Sequence, residues 1–197
     1  VLSGMYSATL ELVRDGTLQR LGDRISFEVE ALNLATLNAQ DKASALAFQR
    51  QVIELRRAAR AASSVLSELE DRVKHLRVAA RTTADVQPTV IRGIETVAGR
   101  LRNLRQQLSG DRSRSPRKNE SPMSISSRIE NIAGSQIFTS SAPTKTERLG
   151  YAYAADAFES VLRQLREFAT KGVPEIEQAL EAAGAAHTPS RLPDWKR

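Results

Sequence analysis

Residues 48–76 read FQRQVIELRRAARAASSVLSELEDRVKHL, and this stretch decides the fold class. Phe48, Val52, Leu55, Ala59, Ala62, Leu66, Leu69, Val73 and Leu76 advance by four and three residues in turn. That spacing keeps one apolar seam on one side of a helix. The seam would run for roughly 42 Å at the rise of an α-helix. Arg50, Glu54, Arg57, Glu68 and Arg72 occupy the opposite side. A seam of this length needs partner helices.

The flanking sequence supplies them. A first helix is expected from about residue 43 to 81, with a break at Thr82-Thr83-Ala84-Asp85 and a restart at Pro88. Val90, Ile94, Val97, Leu101, Leu104 and Leu108 repeat the three-four spacing, so a second helix over 89–108 should return antiparallel to the first. Gly93 and Gly99 either weaken it or let a neighbour approach. Residues 109–124, SGDRSRSPRKNESPMS, read as a linker. Ile125, Ile129 and Ile132 place a short helix after it, ending near Gly134. Ser141 is the expected N-cap of a helix over about 144–170, with Pro143 in its first turn. Its seam is Tyr151, Ala155, Phe158, Leu162, Leu165 and Ala169. Gly172 fits a helix C-cap and Pro174 a new start, with Ile176, Leu180 and Ala183 buried and Gly184 as the end.

Residues 4–31 alternate differently. Tyr6, Ala8, Leu10 and Leu12 lie at period two, as do Ile25, Phe27, Val29 and Ala31, with Asp15-Gly16 between them. This is the pattern of a β-hairpin. Thr17–Asp23 either widens its loop or extends its second strand. A lone hairpin is marginal in water. It must pack on the helices or belong to a larger sheet. The chain opens on Val1, which favours a fragment whose further strands lie upstream. The expected organisation is a hairpin remnant over 1–34 and a helical bundle over 35–197. The fold class is mainly α, an elongated antiparallel bundle of three or four helices.

Composition narrows the chemistry. The 197 residues include no cysteine, which excludes disulfides and thiolate sites. Aromatic residues are only 5%, so the core is one of small and aliphatic side chains. His75 and His187 stand apart, and a metal site needs three or four converging ligands. Glu68, Glu70 and Asp71 flank the seam, while Glu175, Glu177 and Glu181 suit the start of a last helix and its dipole. No glycine-rich phosphate loop or nucleophile elbow occurs. No catalytic residue, cofactor or metal set is expected. No apolar run is long enough to span a membrane.

The net charge of +6 is uneven. Residues 50–118 hold sixteen basic and seven acidic residues. A solvated helix face is the plain reading, and a polyanion-binding surface for nucleic acid or acidic polysaccharide is the second. Arg112, Arg114, Arg117 and Lys118 form its densest patch, without aromatic residues for base stacking. Trp195 reads as a clip that holds the tail to a groove.

The order of features resembles one family. A hairpin runs from Gly4-Met5-Tyr6 through Asp15-Gly16 to Ile25-Ser26-Phe27-Glu28-Val29, and paired helices follow it. Ser141-Ala142-Pro143-Thr144, Val173-Pro174-Glu175-Ile176 and Thr188-Pro189-Ser190-Arg191-Leu192-Pro193-Asp194-Trp195 close the chain. This is similar to the C-terminal region of bacterial sortilin-type, BNR-repeat β-propeller proteins, many labelled glycosyl hydrolases. The resemblance implies an upstream propeller and immunoglobulin-like module, an exported protein, and any hydrolase activity outside this chain. It implies a non-catalytic module that packs on its own upstream domains, a protein partner or a second copy through helical seams. The candidate seam residues are Phe48, Val52, Leu55, Leu66, Leu69, Val73, Leu76, Tyr151, Phe158, Leu162 and Leu165.

Overall fold

The computed structural model describes residues 2–30, 39–111, 122–137 and 141–189. Its elements are strands β1 (Gly4–Ala8), β2 (Glu11–Arg14), β3 (Thr17–Arg20) and β4 (Ile25–Val29), and helices α1 (Ala39–Thr82), α2 (Pro88–Ser109), α3 (Ile125–Ile137), α4 (Lys145–Glu167) and α5 (Val173–Ala182). The protein is mainly α-helical, as the seams require.

The bundle has three columns. The first is α1, whose 44 residues span ~66 Å. The second runs antiparallel to it in two pieces. Glu95 of α2 meets Arg77, Arg105 meets Glu70 and Ser63, Glu130 of α3 meets Arg56 and Arg60, and the Gln136 carbonyl meets Gln49. As α2 and then α3 advance, the α1 positions they touch fall steadily. The two pieces abut, since a Cβ built on Gly110 would lie 3.6 Å from the Ser124 Cβ. Gly110 and Ser124 therefore lie side by side where the two pieces of the middle column meet. The third column, α4 followed by α5, runs parallel to α1, with Arg148 at Ser44, Tyr151 at Phe48 and Glu177 at Arg72.

The seams close on one another within the chain. Leu66, Leu69, Val73 and Leu76 of α1 share one core with Ile94, Leu101, Leu104 and Leu108 of α2, Ile125 and Ile129 of α3, and Phe158, Val161 and Leu165 of α4. Leu55 and Leu162 pack on its margin, half-buried. Phe48 and Val52 form a second cluster with Ile132 and Ala133, with Tyr151 against it. Fully burying a leucine contributes about 2 kcal/mol, so these layers outweigh any single polar contact.

Several local expectations are corrected. Gly172 is not a left-handed cap. Its φ is −58°, and α4 passes into α5 through a π-helical turn over Phe168–Gly172, closed by the Val173 amide donating to the Phe168 carbonyl. The wider turn lets the chain carry Pro174, which has no amide to give to an α-helical partner. Gly172 is there for space, because a Cβ would come within 3.1 Å of the Phe168 ring. The α4 cap is Thr144 rather than Ser141. Thr144 Oγ1 accepts from the Glu147 amide, and the Glu147 carboxylate accepts from the Thr144 amide, a full capping box. Helix α3 runs past Gly134 to Ile137. Gly184, at φ +77°, does end the last helix. Close helix approach occurs at Gly150, whose added Cβ would sit 3.3 Å from Ile132, and not at Gly99, where nothing lies within 4 Å.

The N-terminal strands form one long ribbon. β1 pairs with β4 and β2 with β3, both antiparallel. Thr17–Arg20 thus extends the second strand. Asp15 and Gly16 both have positive φ, 50° and 76°, the type I′ turn that matches strand twist. Between the two ladders, Thr9 and Leu10 stand opposite the four residues Leu21–Arg24, and the bulge takes Gly22 to φ +88°.

Candidate functional site

Cross-strand partners share a face, so Tyr6 and Phe27, Ala8 and Ile25, and Gly4 and Val29 make one side of the ribbon. The Tyr6 and Phe27 rings stack at 6.3 Å between centroids. The Tyr6 hydroxyl donates to the Leu2 carbonyl at 2.8 Å. On the other side, Arg24 Nε donates to Ser7 Oγ at 2.7 Å. No residue of the four strands is buried. Phe27 is 46% exposed, Ile25 67% and Leu10 67%. The helices contrast with this, because their seams are closed. Nine of the sixteen exposed large apolar side chains among the described residues lie in the ribbon: Met5, Tyr6, Leu10, Leu12, Val13, Leu18, Leu21, Ile25 and Phe27.

Among the described residues the acidic side chains named above are dispersed. Among the described residues no group of three metal-ligating side chains comes together. Glu68 and Asp71 are exposed, and Glu70 accepts the Arg105 fork at 2.7 Å. Glu177 is not a dipole partner at the surface. It is buried and accepts Arg72 Nη2 at 2.8 and 2.9 Å and Arg72 Nε at 3.1 Å, which pins α5 to α1. His187 comes within 4.0 Å of Glu181, six residues earlier, because the chain turns at Gly184. His75 is exposed on α1.

Glu147 is the most connected carboxylate. Partial burial pushes its pKa up, but hydrogen bonds from Ser135, Gln136 and Thr144 outweigh this and hold it at about 2. Its oxygens accept from Ser135 Oγ at 2.6 Å, Gln136 Nε2 at 2.8 Å, and the Thr144 amide and hydroxyl at 2.7 and 2.9 Å. All of its acceptor capacity is used in tying the α3–α4 connection, so it acts as a fastener. Gln136 Oε1 is left buried without a partner.

Six of the twelve described basic residues in the 50–118 stretch are paired. Arg56 and Arg60 share Glu130, Arg57 pairs with Glu54, Arg72 with Glu177, Arg77 with Glu95 and Arg105 with Glu70. Glu95 has its pKa lowered, first by the Arg77 hydrogen bond and further by the charges of Arg77, Arg81 and Arg102. The patch at Arg112, Arg114, Arg117 and Lys118, and Trp195, lie outside the described residues. No helix among the described residues is long and apolar enough to cross a membrane.

Compared with known proteins, the chain matches no family model, no curated protein and no solved structure.

Proposed function

We propose that this chain is a non-catalytic structural and interaction module, in which the three-column bundle is a stiff support and the β-ribbon is the docking element. One observation carries the reading: the helical seams are satisfied within the chain, whereas the Tyr6–Phe27 face of the ribbon is uncovered. A two-stranded ribbon with an apolar face gains stability when a further layer or strand covers it. The docking role therefore moves from the helical seams to the ribbon. Strands of an upstream immunoglobulin-like module would suit the face. A sortilin-type exported parent is the wider form of this proposal and rests on the order of residues alone.

The test is direct. The isolated chain should bind a hydrophobic dye such as ANS, and Phe27→Lys with Ile25→Lys should abolish that binding without lowering the helical melting temperature. A chain that is monomeric by light scattering and binds no dye would remove the docking role. The parent is tested separately by immunoblot of source cells. A polypeptide well above 21.7 kDa supports it, and one of that size rejects it.

A further inference from the structure

Seven basic residues of α1 and α2 make no ion pair among the described residues: Lys42, Arg50, Lys74, Arg81, Arg92, Arg100 and Arg102. Three of them belong to one face. Lys74 and Arg102 line a cleft of about 240 Å³ between α1 and α2, over Val73, Ala98 and Leu101 and beside Arg77. Arg81 adds its charge on Glu95 from the same side. The cleft runs on, through Glu70 and Arg102, into a wider one with Ser63, Ser67 and Arg105 on its walls. The short side chain of Ala98 opens the gap between the helices. Glu70 and Glu95 hold Arg105 and Arg77 as forks, so those guanidiniums stay in fixed positions along the groove. Four cations line the two clefts, Lys74, Arg77, Arg102 and Arg105, and Arg81 stands one heptad beyond Lys74 on the same face of α1, which makes five against the carboxylates of Glu70 and Glu95. Asp111 stands at its far end.

We infer that the α1–α2 groove binds the phosphodiester backbone of duplex nucleic acid, with phosphates seated over Ala98 between Lys74 and Arg102. Four of the five cations are arginines, whose planar donors match phosphate oxygens. No aromatic residue lines either cleft, so nothing is offered to an unstacked base, and contact is with the backbone. The cations stand on two rigid helices. Lys74 and Arg81 are about 10 Å apart along α1. The binding reads no sequence and is salt-dependent, because each neutralised phosphate releases counterion. This role is independent of docking through the ribbon.

The experiment is fluorescence anisotropy of a labelled DNA duplex with the whole chain, across a series of salt concentrations. The test variant is Lys74→Gln, Arg81→Gln, Arg102→Gln. All three side chains are exposed and outside every ion pair, so thermal melting should be unchanged. The wild-type chain should bind with an affinity that falls steeply with salt. The variant should bind at least tenfold more weakly, with a log–log slope shallower by about 2 to 3. Arg102→Gln alone should lose severalfold, and it serves if the triple variant melts early. Four outcomes overturn the proposal. They are no binding at low salt, equal binding by wild type and variant, and binding to a sulfated polysaccharide but not to the duplex. The fourth is loss of binding only when Arg112, Arg114, Arg117 and Lys118 are all changed to Gln.

Discussion

Removing Arg72 should destabilise the bundle more than removing its partner, although the two share the same bonds. The Glu177 side chain is 7% exposed and that of Arg72 is 32% exposed. In Arg72→Met, a buried carboxylate loses the three hydrogen bonds of the guanidinium fork, which costs about 3 kcal/mol. In Glu177→Met, the guanidinium can tilt toward solvent, and screening reduces the loss to about 1.5 kcal/mol. Replacing both by Met removes both desolvation costs and fills the α1–α5 gap, so the double variant should lie within about 1 kcal/mol of wild type. The single losses then exceed the double by about 3 kcal/mol, the coupling expected for contacting groups. Urea unfolding followed by helical circular dichroism, with shared slopes, measures all four chains. The reasoning fails if Glu177→Met costs more than Arg72→Met, or if the single losses add up to the double.

Other expectations follow from neighbouring details. Glu147, held at about 2, stabilises the fold fully above the unfolded carboxyl value near 4.3, and this contribution is lost as pH falls through 2. Acid unfolding of wild type and Glu147→Gln should therefore converge toward pH 2, with a gap of about 2 kcal/mol at neutrality; a gap independent of pH would contradict this. Gly99→Ala meets open space in a helix and should raise stability by about 0.5 to 1 kcal/mol, whereas Gly150→Ala presses on Ile132 and should gain nothing, as paired thermal melts would show. Leu66→Ala should cost about 3 to 4 kcal/mol and exposed Ile53→Ala well under 1, and similar urea midpoints for the two would place the core elsewhere. Gly16→Val should break the type I′ turn and expose ribbon amides to exchange, while the α1 amides keep their protection.

Much of the scaffold was legible because its signals are local and repeated. The nine-residue seam from Phe48 to Leu76, the restart at Pro88 and the Asp15-Gly16 turn each depend on neighbours within a few positions. The errors occurred where local signals had two meanings. Gly172 followed by Pro174 reads as stop and start, yet the same pair suits a widened turn once Phe168 needs the space beside Gly172. Ser141 reads as a cap because Pro143 follows it, whereas the mark that identifies Thr144 is Glu147, three residues on. The Arg72–Glu177 fork joins positions 105 residues apart, and no periodicity announces such a pairing. The groove cations were visible only as a charge excess. Which were neutralised depended on Glu70, Glu95, Glu130 and Glu177 arriving from different columns.

The meeting of Gly110 and Ser124 has an evolutionary reading. A segment whose two ends touch in the side of a finished bundle can change in length and composition without moving any core layer. Closing a longer loop costs only about 0.6 kcal/mol for each doubling. The middle column thus contains a port at which sequence can be exchanged almost freely, while the helices on either side are held to their register by the seams. Related chains should therefore agree closely through 39–108 and 125–182 and diverge in the stretch between them.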